Sequence, residues 1–232
     1  MKAFVNWHMF TQTSLDSGSL TMLGAVIHNF SEPGEYMGTI LRKDEAVGRF
    51  QLTVDKECPT MQVDIDLPKI HQPTQEYCKS EPVKRFVVNP QGYVLFYVSR
   101  GAGGYAVVVG RLEDKGKEKP SFDSRELKEG DIFAVTMIRP GTYSVTNIRT
   151  DAKGEIVVAY PKIGEVPYRP PKPVSIECTE KRLILDRIKI EAAQGQVYRI
   201  KTPSRIKIEL VKPDDGPARK RTQRIKRRKR AR

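Results

Sequence analysis

The sequence predicts an all-β protein with two β-sandwich units, a short C-terminal β segment and a disordered basic tail. Three observations predict it. The apolar runs are short, rich in Val, Ile, Thr, Tyr and Phe, and separated by turns of Pro, Gly, Asp and Lys. One stretch alternates strictly, with Met61, Val63, Ile65 and Leu67 on one face and Gln62, Asp64 and Asp66 on the other. A corner motif, Pro-Gly-x-Tyr, occurs at Pro33–Tyr36 and again at Pro140–Tyr143.

Residues 1–70 read as the first unit. Leu20 to Phe30 is an apolar strand leading into the Pro33 corner. Met37 to Leu41 and Arg49 to Val54 are strands around the polar turn Lys43-Asp44-Glu45. Residues 71–81 (HQPTQEYCKSE) are polar and lack periodicity, as a linker would. Residues 82–165 form the second unit. It opens with VKRFVV, then GYVLFYVS and YAVVVG, which flank the glycines of Arg100 to Gly104 and predict a hairpin. Phe122 to Lys128 is a loop. Asp131 to Ile138, Tyr143 to Ile148 and Glu155 to Tyr160 are three strands divided by turns at 139–142 and 151–154. Residues 166–173 (VPYRPPKP) are an extended Pro-rich spacer. Residues 174–211 hold five short strands, in which Arg187-Ile-Lys-Ile-Glu191 returns as Arg205-Ile-Lys-Ile-Glu209, apolar on one face and charged on the other. Residues 212–232 are a linker and tail. No helix is expected.

The two corners belong to a longer echo. Pro33-Gly34-x-Tyr36 with Leu41-Arg42-x-Asp44 and Gly48 matches Pro140-Gly141-x-Tyr143 with Ile148-Arg149-x-Asp151 and Gly154. The sequence therefore predicts two units of one type.

From Phe122 to Val158 the order F-D-S-x-x-L-K-x-G-D-x-F-A-V-T-x-x-R-P-G-T-Y…G-x-I-V-V resembles the cupredoxin family in its small plastocyanin- or amicyanin-like form. The resemblance covers about residues 120–161 and implies a cupredoxin-like or immunoglobulin-like β-sandwich, repeated in part at 20–54. In that family a Cys, a His and a Met after the PGTY strand hold copper with an earlier His. Val145 to Asp151 supply none of these, and Arg111 to Lys119 contain no His. A blue-copper centre needs two imidazoles and a thiolate, so the expectation is a copper-free fold with no cofactor and no metal site.

Composition narrows the function classes. The chain has 232 residues, 38% hydrophobic and 30% charged, with no apolar run long enough to span a bilayer. The first residues carry no apolar core of the kind a secretory signal needs, which points to the cytoplasm, or the nucleus in a eukaryote. Cys58, Cys78 and Cys178 form no CxxC pair, as expected of a reducing compartment. His71 and Cys78 share one segment and would share a metal only with Cys58, a spacing with no close ligand pair. His28, in an apolar strand, reads as a core or edge residue with a satisfied ring. The glycine run at 101–104 lacks the Lys-Ser/Thr and the helix of a phosphate loop. Tyr93 and Tyr97 share a strand face opposite Phe96, which is packing rather than an RNA-recognition motif, because that motif needs two helices. Asp64 and Asp66 share one face and read as solvent-facing.

The strongest functional signal is the tail. Residues 219–232 hold ten of the 41 Lys and Arg residues and none of the 28 acids, leaving 31 basic against 28 acidic residues elsewhere. Such a segment neutralises phosphates and releases counterions with little sequence preference. Arg219, Lys220, Arg221, Arg224, Lys226, Arg227, Arg228, Lys229, Arg230 and Arg232 are the expected contacts to RNA or DNA. An anionic membrane surface would attract the same charges. The expected function is non-enzymatic binding or assembly, with the β units meeting protein partners or copies of themselves. The rival readings are a viral or particle shell protein with a basic arm, and a degenerate metal-binding cupredoxin.

Overall fold

The computed structural model describes residues 7–70, 83–113, 117–160, 171–183 and 188–216. Two short helices, α1 (Trp7–Thr11) and α2 (Leu67–Ile70), accompany the strands. After β1 (Ser14–Asp16), the first half holds β2 (Gly24–His28), β3 (Gly34–Arg42), β4 (Glu45–Val54), β5 (Gln62–Asp66), β6 (Lys84–Val88), β7 (Tyr93–Tyr97), β8 (Tyr105–Leu112) and β9 (Glu118–Asp123). The second holds β10 (Ile132–Thr136), β11 (Gly141–Asn147), β12 (Lys153–Ala159), β13 (Val174–Cys178), β14 (Ile188–Glu191), β15 (Gly195–Ile200) and β16 (Ile206–Pro213).

These strands form three sheets. A central sheet runs β13-β15-β10-β2-β7-β5, and two five-stranded sheets run β6-β4-β3-β8-β9 and β1-β16-β11-β12-β14. Every pairing of the first half recurs in the second. Hairpin β3·β4 matches β11·β12, and β3·β8 matches β11·β16. β2·β7 matches β10·β15, and β8·β9 matches β16·β1. The halves join where β2 and β10 pair antiparallel, with Ile27 opposite Ile132 and Val26 opposite Phe133.

Within each half the chain coils. From β4 in one sheet it crosses to β5 in the central sheet, returns to lay β6 parallel beside β4, then crosses again to lay β7 parallel beside β5. β12 to β15 repeat this path, with β14 parallel to β12 and β15 to β13. The result is a stacked-coil, β-solenoid-type architecture of about four turns, flanked by antiparallel hairpins. It corrects the expectation of cupredoxin-like or immunoglobulin-like sandwiches. The resemblance rested on corner and hairpin words, which encode local bends. The parallel partners lie 20 residues or more away along the chain, beyond what those words encode. The sheets also cross the expected segment boundaries: β4 and β5 pair with β6 and β7 across residues 71–81, and strands of 174–211 pair with β10, β11 and β12.

Alternation explains the packing. On β7, Val94 and Phe96 are buried while Tyr93 is exposed, and on β10 Phe133 and Val135 are buried. The inward residues of all three sheets join one apolar cluster. Phe50 of β4 faces Phe96 of β7 at 6.1 Å, and Phe96 stacks on Phe122 at 5.4 Å. Gly38 on β3 makes room for this: a Cβ there would lie 2.0 Å from the Phe50 ring.

The corner motif marks equivalent places in the two halves. Gly34 and Gly141 adopt φ of 147° and 151°, where a side chain would be strained. After each, the tyrosine ring is buried and its hydroxyl donates to a backbone carbonyl four residues upstream: Tyr36 to Glu32 at 2.7 Å and Tyr143 to Arg139 at 2.8 Å. Burial raises both phenol pKa values above their ordinary 10.0.

One expected hairpin does not form. β7 belongs to the central sheet and β8 to the first five-stranded sheet. The glycines between them, with positive φ at Gly101, Gly103 and Gly104, carry the chain from one sheet to the other.

Candidate functional site

All ten expected contact residues of the tail, Arg219 to Arg232, lie outside the described residues. The structure does fix the point from which the tail departs. The Asp214 amide donates to the Pro140 carbonyl at 3.0 Å, and the Tyr160 hydroxyl donates to the Asp214 carbonyl at 2.8 Å. Arg139 pairs with Asp215 at 3.2 Å. The chain before residue 217 is therefore fastened at the Pro140 corner.

A cleft of about 230 Å³ opens beside the other corner. It is built where β2 ends, β3 begins, and β8 and β9 run past. His28, the last residue of β2, enters from a ring cluster, 4.4 Å from Phe30 and 4.5 Å from Phe122. Its Nδ1 lies 2.5 Å from an Asp131 carboxylate oxygen, and the Asp131 side chain is only 2% exposed. The other Asp131 oxygen accepts the Lys128 amide at 2.7 Å. An ionised carboxylate only accepts, so Nδ1 carries the proton and the opposite nitrogen, Nε2, is an acceptor when the ring is neutral.

Around His28 the cleft presents Ser31, Glu32, Arg111, Lys119 and Ser121. Arg111 pairs with Glu32 and donates from Nη2 to the Pro33 carbonyl at 2.9 Å, which holds its guanidinium over the corner. Lys119 is exposed and forms no ion pair among the described residues. Asn29 closes the adjoining loop by donating to the Pro90 and Gly92 carbonyls.

Local sequence gives no sign of the His28–Asp131 pair. The partners are 103 residues apart and meet only because β2 pairs with β10. The expectation that His28 is a satisfied core or edge residue agrees with its Asp131 partner. Asp64 is exposed, but Asp66 is buried, which corrects the expectation of a shared solvent face. Burial acts to raise the Asp66 pKa. Hydrogen bonds from the Ser99 hydroxyl at 2.7 Å and from Lys69 at 3.1 Å outweigh it, and the carboxyl is held below its ordinary 3.8.

Among the described residues no three His, Cys, Asp or Glu side chains gather as a metal site. His71 and Cys78 lie outside those residues. Cys178 is buried, and burial pushes its thiol up to about 12. The outer face of the central sheet is apolar across its middle, where Ile27, Leu95, Ile132 and the half-exposed Tyr93 line a shallow hollow with Gln62. No helix among the described residues is long and apolar enough to cross a membrane.

No family model, curated protein or solved structure matches the chain.

Proposed function

We propose that the chain is a non-enzymatic binding or assembly protein. Its coiled β body meets protein partners or a second copy, and its Arg/Lys tail attaches to nucleic acid by charge. The observation that carries this reading is the separation of charge: residues 219–232 hold ten Lys or Arg and no acid, while the rest of the chain is close to balanced. Counterion release at ten closely spaced cations favours a polyanion of regular phosphate spacing. The fastening of Asp214 and Asp215 at the Pro140 corner supports the same reading, because it would hold a bound strand close to the body. The apolar outer face of the central sheet supports a protein contact, since exposed apolar surface of that kind favours burial against a partner.

Binding of a generic RNA duplex and a DNA duplex across a salt series tests the attachment, using the full chain and a chain ending at Pro217. The full chain is expected to bind with a log–log salt slope steeper than about −5, and the shortened chain to lose that slope. Equal binding by both would move the attachment to the body, and no binding at low salt would end the nucleic-acid reading. The same apolar face favours a second reading, a shell protein with a basic arm. Large particles in light scattering would support it; a monomer at all concentrations would not.

A further inference from the structure

The duplicated architecture contains its own control. The Pro-Gly-x-Tyr corner serves both halves, so whatever one half adds to it is not needed to make the corner. At the register position beside Tyr36 the first half places Arg111, whereas beside Tyr143 the second half places Leu210. Where β2 ends in His28, β10 ends in Thr136. In the second half, Asp214 and Asp215 bind the loop leading into the corner at Pro140 and Arg139. In the first half the equivalent loop borders an open cleft, and its cations face that space.

We infer that this cleft is a receptor for a small anionic group, a phosphate or a carboxylate, held by Lys119 and Arg111, with the Nε2 edge of His28 placed to accept from a hydroxyl that the ligand carries. Each wall has a role. Asp131 fixes which imidazole nitrogen faces the cleft and takes no part in contact with solvent, at 2% exposure. Arg111 spends one nitrogen on Glu32 and one on the Pro33 carbonyl, and a guanidinium has five N–H donors, so further donors stay available. Lys119 brings a charge that nothing among the described residues neutralises. Ser31 and Ser121 add hydroxyls that suit the remaining oxygens of an oxyanion. Phe30 and Pro120 supply apolar wall, which leaves room for the organic part of a ligand that carries the anion. This site is separate from the tail and does not depend on the tail's partner.

The test is a nitrogen-15 NMR titration of the full chain at constant ionic strength, with inorganic phosphate in one arm and acetate in the other. Saturable shifts are expected at the Ser31 and Ser121 amides and at the His28 ring nitrogens. Lys119→Gln, at an exposed position that no described contact needs, is expected to weaken the response about tenfold, the loss of one charge-assisted hydrogen bond. His28→Gln should weaken the response to phosphate, whose remaining hydroxyl can donate to Nε2, and leave that to acetate unchanged. Saturation by phosphate alone, by acetate alone or by both supports the receptor and identifies the anion. Shifts confined to residues 219–232, no saturable change at tens of millimolar in either arm, or a response unchanged by Lys119→Gln would overturn it.

Discussion

Tyr198 is wholly buried, and its hydroxyl has no hydrogen-bond partner among the described residues. Its ring lies 6.0 Å from Phe133, and burial is the main cause raising its phenol pKa. A polar group buried without a partner costs stability, so Tyr198→Phe should be neutral or stabilising by up to about 1 kcal/mol in chemical denaturation. A loss of more than that would show that the hydroxyl has a partner. Gly38→Ala carries the opposite expectation. Its Cβ would collide with the fully buried Phe50 ring, and overpacking of this kind costs about 1–3 kcal/mol. Asp66 gives a pH signature. Its folded pKa is depressed below 3.8, so its contribution is complete above that value and is lost as pH falls through the folded pKa. Asp66→Asn should therefore be less stable than the parent near neutral pH, and the difference should shrink as pH falls below 3.8 and through the depressed folded pKa. Cys178 should resist alkylation in the native chain at pH 8 while the half-buried Cys58 reacts, with peptide mapping to tell them apart.

At the scale of elements, the corners were legible and the coils were not. Pro, Gly and Tyr at fixed spacing specify a bend, a positive φ and a tethered ring, and all three are local requirements. Both corners follow, and Tyr36→Phe and Tyr143→Phe should each cost about 1 kcal/mol, adding in the double variant because the sites share no partner. Alternation likewise identified the buried faces of β5 and β7. It could not say which strand lies beside which. VLFYV and YAVVV on either side of three glycines satisfy the pattern of a hairpin, yet a crossing between sheets satisfies it equally, and the pairing of β7 with β2 and β5 and of β8 with β3 and β9 decides for the crossing. Asp66 reads as a solvent residue in a two-residue period, but Ser99, just beyond β7, and Lys69, in α2, bond to it. The cleft escaped notice for the same reason. His28, Arg111, Lys119 and Asp131 are each unremarkable in their own segments, and the pairings β2·β10, β3·β8 and β8·β9, the last setting Arg111 opposite Lys119, bring them near one another.

For the whole molecule, the duplicated pairing scheme makes the two halves one object. β2·β10 runs through the middle of the central sheet, and a single apolar cluster serves all three sheets. The first half also lends nothing to its own β8·β9 edge from the other end of the chain, whereas the matching edge of the second half is completed by β1. That strand is locked by Asp16, which accepts from Arg205 Nε at 3.0 Å and Nη2 at 2.9 Å. Arg205→Ala should loosen β1 first, read as faster amide exchange at residues 14–16 than in the coil strands.

The loan of β1 sets a clock. Leu15 is made long before its partner across the ladder, Ile208. At a synthesis rate of about 5–20 residues per second, the first strand waits on the order of 10–40 s before the residue that receives it exists. During that interval β1 is an unclaimed edge, and the closing step joins the two most distant described stretches of the chain, which is the slow kind of contact to form. A ribosome-stalled chain ending before β16 should leave residues 14–16 open to protease while the strands of the first half are already protected.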